Sequence, residues 1–190
     1  MTLTKRGPRR QELNDSSLQE LALRYVGKYA TTRSKLRSYL SRKIRERGWK
    51  DGTAPDLDAL INRLAKLGYV DDAAYALNTS RSLSARGYGK QRLTQKLRLD
   101  GVEEDDRTAA DAHADAQSVA AALRFAKRRG LGPFAHAAPD HRQREKWIAT
   151  MVRAGHGFGL ARTIAGLAPG APFDLEALSD QLDRTEINID

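Results

Sequence analysis

Apolar positions along this chain recur at helical spacing. Leu18, Leu21, Ala22, Tyr25 and Tyr29 stand three or four residues apart, which lays one stripe along a helix. Thr31 and Thr32 interrupt it and can cap the next helix, with Leu36, Tyr39, Leu40 and Ile44 on one side and Gly48 as its stop. A third helix opens at Pro55-Asp56, carries Leu57, Leu60, Ile61, Leu64 and Leu67, and stops at Gly68. The plan then returns. Asp71-Asp72 reads as a double N-cap on a helix from Ala73 to Arg86, and a further helix begins at Gly89-Lys90, with Leu93 and Leu97 inward and Gly101 as stop. Ala-rich sequence follows from Thr108. Later stripes predict helices over Val119–Arg129, Arg142–Ala154 and Phe158–Leu167.

Arg-Gly recurs as punctuation at Arg47-Gly48, Arg86-Gly87 and Arg129-Gly130. A cation in the last turn suits the helix dipole, and glycine suits the left-handed cap. The expectation is an all-α chain of tandem three-helix, helix-turn-helix-like repeats, since helices this short cannot bury their stripes alone. The divisions are a disordered basic arm over 1–16, repeats over 17–70, 71–116 and 117–168, and an acidic tail over 169–190. The segment Gly130 to Pro139, with Gly132-Pro133, reads as a loop.

Charge adds a direction to this picture. Lys and Arg number 33 against 24 Asp and Glu, a net charge of +9, which speaks to partners rather than fold. From Arg24 to Lys50 the cations are opposed only by Glu46; from Arg81 to Arg98 there is no acid; Arg124, Lys127, Arg128 and Arg129 form a third group. Such runs are commonly solvated faces, but single-sign stripes at equivalent repeat positions suit a phosphate backbone. Tyr25, Tyr29 and Tyr39 lie on the apolar stripes and are assigned to the core. Trp49, Tyr69 and Tyr88 stand beside glycines at helix ends and are left unassigned.

Candidate chemistry is sparse. The four histidines, His113, His136, His141 and His156, lack metal-ligand spacing. Gly87-Tyr88-Gly89-Lys90 lacks the P-loop pattern, and Gly155-His156-Gly157-Phe158-Gly159 has no preceding strand, so both read as helix–helix turns. Glu103 to Asp106 reads as a solvated helix start. There is no cysteine, hence no disulfide or thiolate site, and no apolar run long enough to span a membrane. The expectation is a cytoplasmic protein that is not an enzyme and needs no cofactor or metal.

Several stretches together resemble the RecX family. Leu21-Ala22-Leu23-Arg24-Tyr25 and Thr32-Arg33-Ser34-Lys35-Leu36-Arg37-Ser38-Tyr39-Leu40 look like a first RecX repeat; Leu64 through Ala76 looks like its repeat junction; Arg86 to Leu93, with Leu97 and Gly101-Val102, resembles the second repeat, and Arg142 to Gly166 a degenerate third. Lys35 departs from the acidic residue the family commonly carries there, which would add to the basic stripe. The resemblance implies an elongated, curved molecule, a monomer, that binds the RecA recombinase as monomer and filament. It implies inhibition of filament extension, ATPase and strand exchange, with effects on recombination, repair and the SOS response. Single- and double-stranded DNA would be bound weakly and without sequence preference. The candidate contacts lie on the second helix of the first two repeats, where the inward leucines leave many cations outward: Arg37, Lys43, Arg45 and Arg47, then Lys90, Arg92, Lys96 and Arg98. The alternative is a sequence-independent nucleic-acid-binding helix-turn-helix module, with Lys35 to Arg47 as the docked helix.

Overall fold

The computed structural model describes residues 11–172; residues 1–10 of the expected basic arm and the acids of the expected tail lie outside them, while over 11–16 Leu13 is buried and Asp15 opens the first helix. Among the described residues the chain is helical, without strands: α1 (Asp15–Val26), α2 (Arg33–Arg47), α3 (Leu57–Lys66), α4 (Asp72–Ala85), α5 (Lys90–Leu99), α6 (Thr108–Ala116), α7 (Ser118–Arg129), α8 (His141–Arg153) and α9 (Phe158–Gly166). The helices begin where the sequence supplies caps. The side chains of Asn14, Thr32, Asp56 and Asp140 each accept a backbone N–H from the first turn, which satisfies a donor with no intrahelical partner. Gly130, with φ of 62°, closes α7 in the left-handed conformation that a side chain would strain.

The described residues form two compact units. The first holds residues up to Tyr75 together with Asp100–Val102; the second holds Ala76–Leu99 and the residues from Glu103 onward. In the first, Leu13, Leu18, Ala22, Leu36, Leu40, Ile61, Leu64 and Val70 make the core. Burying one leucine side chain in this way contributes about 1.5–3 kcal/mol. Tyr25 and Tyr39 stack at 4.1 Å over this core. Leu13 pairs with Trp49 in a single parallel bridge, tying the entry of α1 to the exit of α2.

A polar network closes the first unit. The Tyr75 hydroxyl donates to Asp100 at 2.7 Å, and Lys35 donates to that hydroxyl at 3.1 Å while its Nζ stands 3.4 Å from Asp100. The Thr32 hydroxyl donates to the Asp100 carbonyl at 2.6 Å. Asp72 accepts the backbone N–H of Arg33 at 3.0 Å and so caps α2 from outside. Of the expected double cap on α4, Asp71 takes the local role, accepting from Ala74 at 2.8 Å.

The second unit has a core of α7, α8 and α9, built on Phe125, Leu131, Trp147, Ile148, Met151, Leu160 and Ile164 with several alanines. The two glycine-rich segments are turns, and they dock on each other: Gly89 N–H donates to Ala154 and Gln91 N–H to Gly155, both at 3.1 Å. The approach is so close that a Cβ on Gly89 would stand 2.2 Å from the Gly155 oxygen. His156 is buried at this joint, its Nε2 3.1 Å from the Gly87 carbonyl oxygen and its ring 5.6 Å from Phe125.

Three expectations are corrected. Tyr29 is not core: α1 ends at Val26, the tyrosine falls past the stripe, and it is 49% exposed. Lys35 does not extend the basic stripe, because Asp100 and Tyr75, remote in sequence, neutralise and hydrogen-bond it. The segment after Gly130 is more than loop, since Gly132–Phe134 forms a 3-10 turn with Gly132 and Pro133 buried against the second core.

Candidate partner and nucleic-acid interface

The eight candidate cations fall into two sets. Arg37, Lys43, Arg45 and Arg47 ride on α2 in the first unit; Lys90, Arg92, Lys96 and Arg98 ride on α5 in the second. Leu36 and Leu40 on α2, and Leu93 and Leu97 on α5, are fully or almost fully buried. Each pair turns one side of its helix to the core and leaves the other to solvent.

The α2 set divides by use. Arg37 and Arg45 are exposed. They stand at a depression of about 530 Å³ whose walls include Ser38, Ser41, Ile44 and Pro55. Arg37 also pairs with Asp58 of α3. Lys43 is half-buried and held by Glu46 at 2.6 Å. Arg47 is half-buried as well, and its Nε donates to the Gln11 carbonyl at 3.0 Å, so it fastens the segment before α1 instead of facing outward. A neighbouring depression of about 570 Å³ is lined by Asp15, Asp51 and Asp56 against a single cation, Arg63, the wrong sign for a phosphate.

On α5 all four cations are exposed. Lys90 pairs with Asp115 of α6 at 2.6 Å. Arg92 and Arg98 form no ion pair among the described residues, nor does Arg45. These three are therefore the candidates whose charge is least committed within the chain. Exposed ion pairs are worth about 0.2–1 kcal/mol, so Arg37, Lys43 and Lys90 can exchange their present partners at small cost.

One cluster joins cations that stand in separate runs of the sequence. Arg86 and Arg128 place their guanidinium carbons 5.2 and 5.7 Å from the Tyr88 ring centroid, beside exposed Lys127 and Arg129. The run Arg124 to Arg129 is visible in the sequence; its convergence with Arg86 is not, because 42 residues separate Arg128 from Arg86.

Comparison with known proteins agrees with the helical architecture. A family model described as RecX, second three-helix domain, matches residues 71–110. The regulatory protein RecX of Myxococcus xanthus is 34% identical over 175 residues, covering 87% of this chain and 93% of that protein. The regulatory protein RecX of Agrobacterium fabrum is 31% identical, covering 78% and 80%. The crystal structure of RecX from Lactobacillus salivarius superposes with a TM-score of 0.57 at 19% identity, over 78% of this chain and 92% of that one, a likeness of fold. Among the described residues no helix is long and apolar enough to cross a membrane.

Proposed function

This chain belongs to the RecX family of regulatory proteins, and we propose that it regulates by binding the RecA recombinase, as monomer and filament, and restraining filament extension, ATPase and strand exchange. In the cell this restraint would act on recombination, repair and the SOS response. The observation that supports it best is the form of α2 and α5. Each buries a pair of leucines completely or nearly so and turns cations outward, with Arg45, Arg92 and Arg98 uncommitted to any carboxylate among the described residues. An acidic partner surface can take these cations without disturbing either core. Charge of this kind raises association rate and fixes register more than it adds affinity.

The same reading includes weak, sequence-independent DNA binding. A backbone-directed contact of several phosphates loses affinity steeply with salt, on the order of a hundredfold between low and moderate salt. The test is a pull-down of recombinase with and without DNA and nucleotide, together with ATPase and strand-exchange assays. The variant is Arg45→Glu, Arg92→Glu and Arg98→Glu combined. Helicity and melting stay near the parent's, since surface changes shift stability by about 0.5 kcal/mol each, while inhibition drops sharply. A folded triple variant that inhibits as well as the parent would falsify the assignment of the contact to α2 and α5.

A further inference from the structure

Cations at the end of α7 are held differently from those on α2. Lys127, Arg128 and Arg129 form the last turn of α7, where the helix dipole favours positive charge. Arg128 donates to the Arg86 carbonyl, and Arg124 donates at 3.3 Å to the Ser84 carbonyl, which also accepts the Gly87 N–H at 2.9 Å, so both guanidiniums are held at carbonyls at and just beyond the end of α4. Arg86 and Arg128 lie on Tyr88, and Arg128 and Arg129 lie within 5.8 Å of the Phe125 ring centroid. Carbonyls and ring faces position these groups without cancelling their charge. None of Arg86, Arg124, Lys127, Arg128 and Arg129 forms an ion pair among the described residues, whereas Arg37, Arg42 and Lys43 on α2 all do.

Five exposed cations gathered without a carboxylate call for a polyanion. A protein partner ordinarily needs an apolar anchor at the centre of its contact. The large apolar side chains exposed among the described residues are Leu23, Tyr29, Leu67, Tyr69, Leu99 and Phe158, none of them on α7. A sugar–phosphate backbone needs no such anchor and is matched by planar guanidinium forks already restrained in place.

We propose that the end of α7, with Arg86 from the end of α4, is a sequence-independent site for the phosphate backbone of nucleic acid, distinct from the α2 and α5 cations that meet the recombinase. The inference rests on the reading above that this protein binds DNA. The two contacts then separate by mutation: the α7 cations serve DNA, and Arg45, Arg92 and Arg98 serve the protein partner.

The experiment is fluorescence anisotropy of the full chain with a labelled single-stranded oligonucleotide over a salt series. Lys127→Gln combined with Arg129→Gln leaves the Arg128 bond to the Arg86 carbonyl in place. Two lost phosphate contacts lower the salt slope by about 1.4, and affinity at low salt falls by about tenfold or more. Arg129→Lys, which keeps the charge, stays near the parent. Arg45→Gln with Arg92→Gln and Arg98→Gln keeps DNA affinity within about twofold, while Lys127→Gln with Arg129→Gln still captures recombinase without DNA. Should the double variant lose helicity, Lys127→Gln alone carries the test, with a slope change of about 0.7. A parent chain that binds no oligonucleotide removes the DNA reading and this site with it. Parent binding that the double variant leaves unchanged in affinity and slope overturns the site alone. Polyglutamate of matched charge competing as well as the oligonucleotide also overturns it, and marks the patch as a protein-docking surface.

Discussion

At the start of α2, in the first unit, helix ends meet through side chains; at the start of α5, in the second, they meet through backbone. Asp100, Tyr75, Lys35 and Thr32 form a hydrogen-bonded network at the start of α2. The corresponding joint in the second unit has Gly89 and Gly155 packed backbone to backbone, with His156 buried beside them. The difference sets what each unit tolerates. A side-chain network depends on charge and protonation, and part of it survives when one member is trimmed. A glycine joint is indifferent to charge and leaves no room for a Cβ.

The largest expected effect is therefore at Gly155. Its φ is 93°, and a Cβ there would stand 2.4 Å from the Arg92 backbone nitrogen. Gly155→Ala combines left-handed strain with overpacking, and the expected cost is about 3 kcal/mol. The two tryptophans allow the site of damage to be read: Trp49 belongs to the first unit and Trp147 to the second. Urea unfolding followed on single-tryptophan variants should show Trp147 leading. Unchanged unfolding at Trp147 would show that the turns do not hold the second unit together.

Next comes Asp100→Asn. The carboxylate is largely buried and receives Tyr75 and Lys35, so its loss leaves the ammonium with the Tyr75 hydroxyl but no opposing charge, at about 2 kcal/mol. Tyr75→Phe removes one hydrogen bond and costs about 1 kcal/mol. Both losses should register at Trp49. If Tyr75→Phe costs as much as Asp100→Asn, the charge of Asp100 is not what closes the network.

Protonation distinguishes the units at opposite ends of the pH scale. Burial works against the charged form of Lys35, but the Tyr75 hydroxyl and the Asp100 carboxylate outweigh it, so the ammonium titrates above its ordinary range. A raised pKa gives stability that is complete below the unfolded value and is lost as pH rises through the folded one. Burial pushes His156 below its ordinary value, against the upward pull of the Gly87 carbonyl. The neutral ring is the folded form, so its contribution is complete above the unfolded value, about 6.5, and is lost as pH falls from there through the lowered folded value. Mild acid should loosen Trp147 first and strong base Trp49. His156→Gln should flatten the acid limb; an acid limb identical in parent and variant would assign it to other groups.

These contrasts also mark what the sequence could and could not show. Helix positions were legible because caps, stripes and glycine stops are local: Thr32, Asp56 and Gly130 each do what their neighbours imply. The joints were not legible, since Asp100 lies 65 positions after Lys35, and Ala154 lies 65 positions after Gly89. The candidate cations were half legible. Periodicity placed Arg45, Arg92 and Arg98 outward, but nothing near Arg47 announces its bond to Gln11, and nothing near Tyr88 announces Arg128.

The smallest expected effect is where the two units become alike. Lys43–Glu46 in the first and Lys90–Asp115 in the second are both ion pairs at 2.6 Å with partly exposed side chains. Long side chains lose rotamer freedom to hold such a geometry, and water and salt screen the attraction, so each pair is worth about 0.2–1 kcal/mol. Lys43→Gln and Lys90→Gln should each shift unfolding by about 0.5 kcal/mol or less, and the shift should shrink further in 0.5 M salt, where the Debye length falls to about 4 Å. A loss of about 2 kcal/mol at either position would mean that the pair is structural and unavailable to a partner. A small loss at both keeps them free to trade Glu46 or Asp115 for a partner's carboxylate, and confines the difference between the units to their interiors.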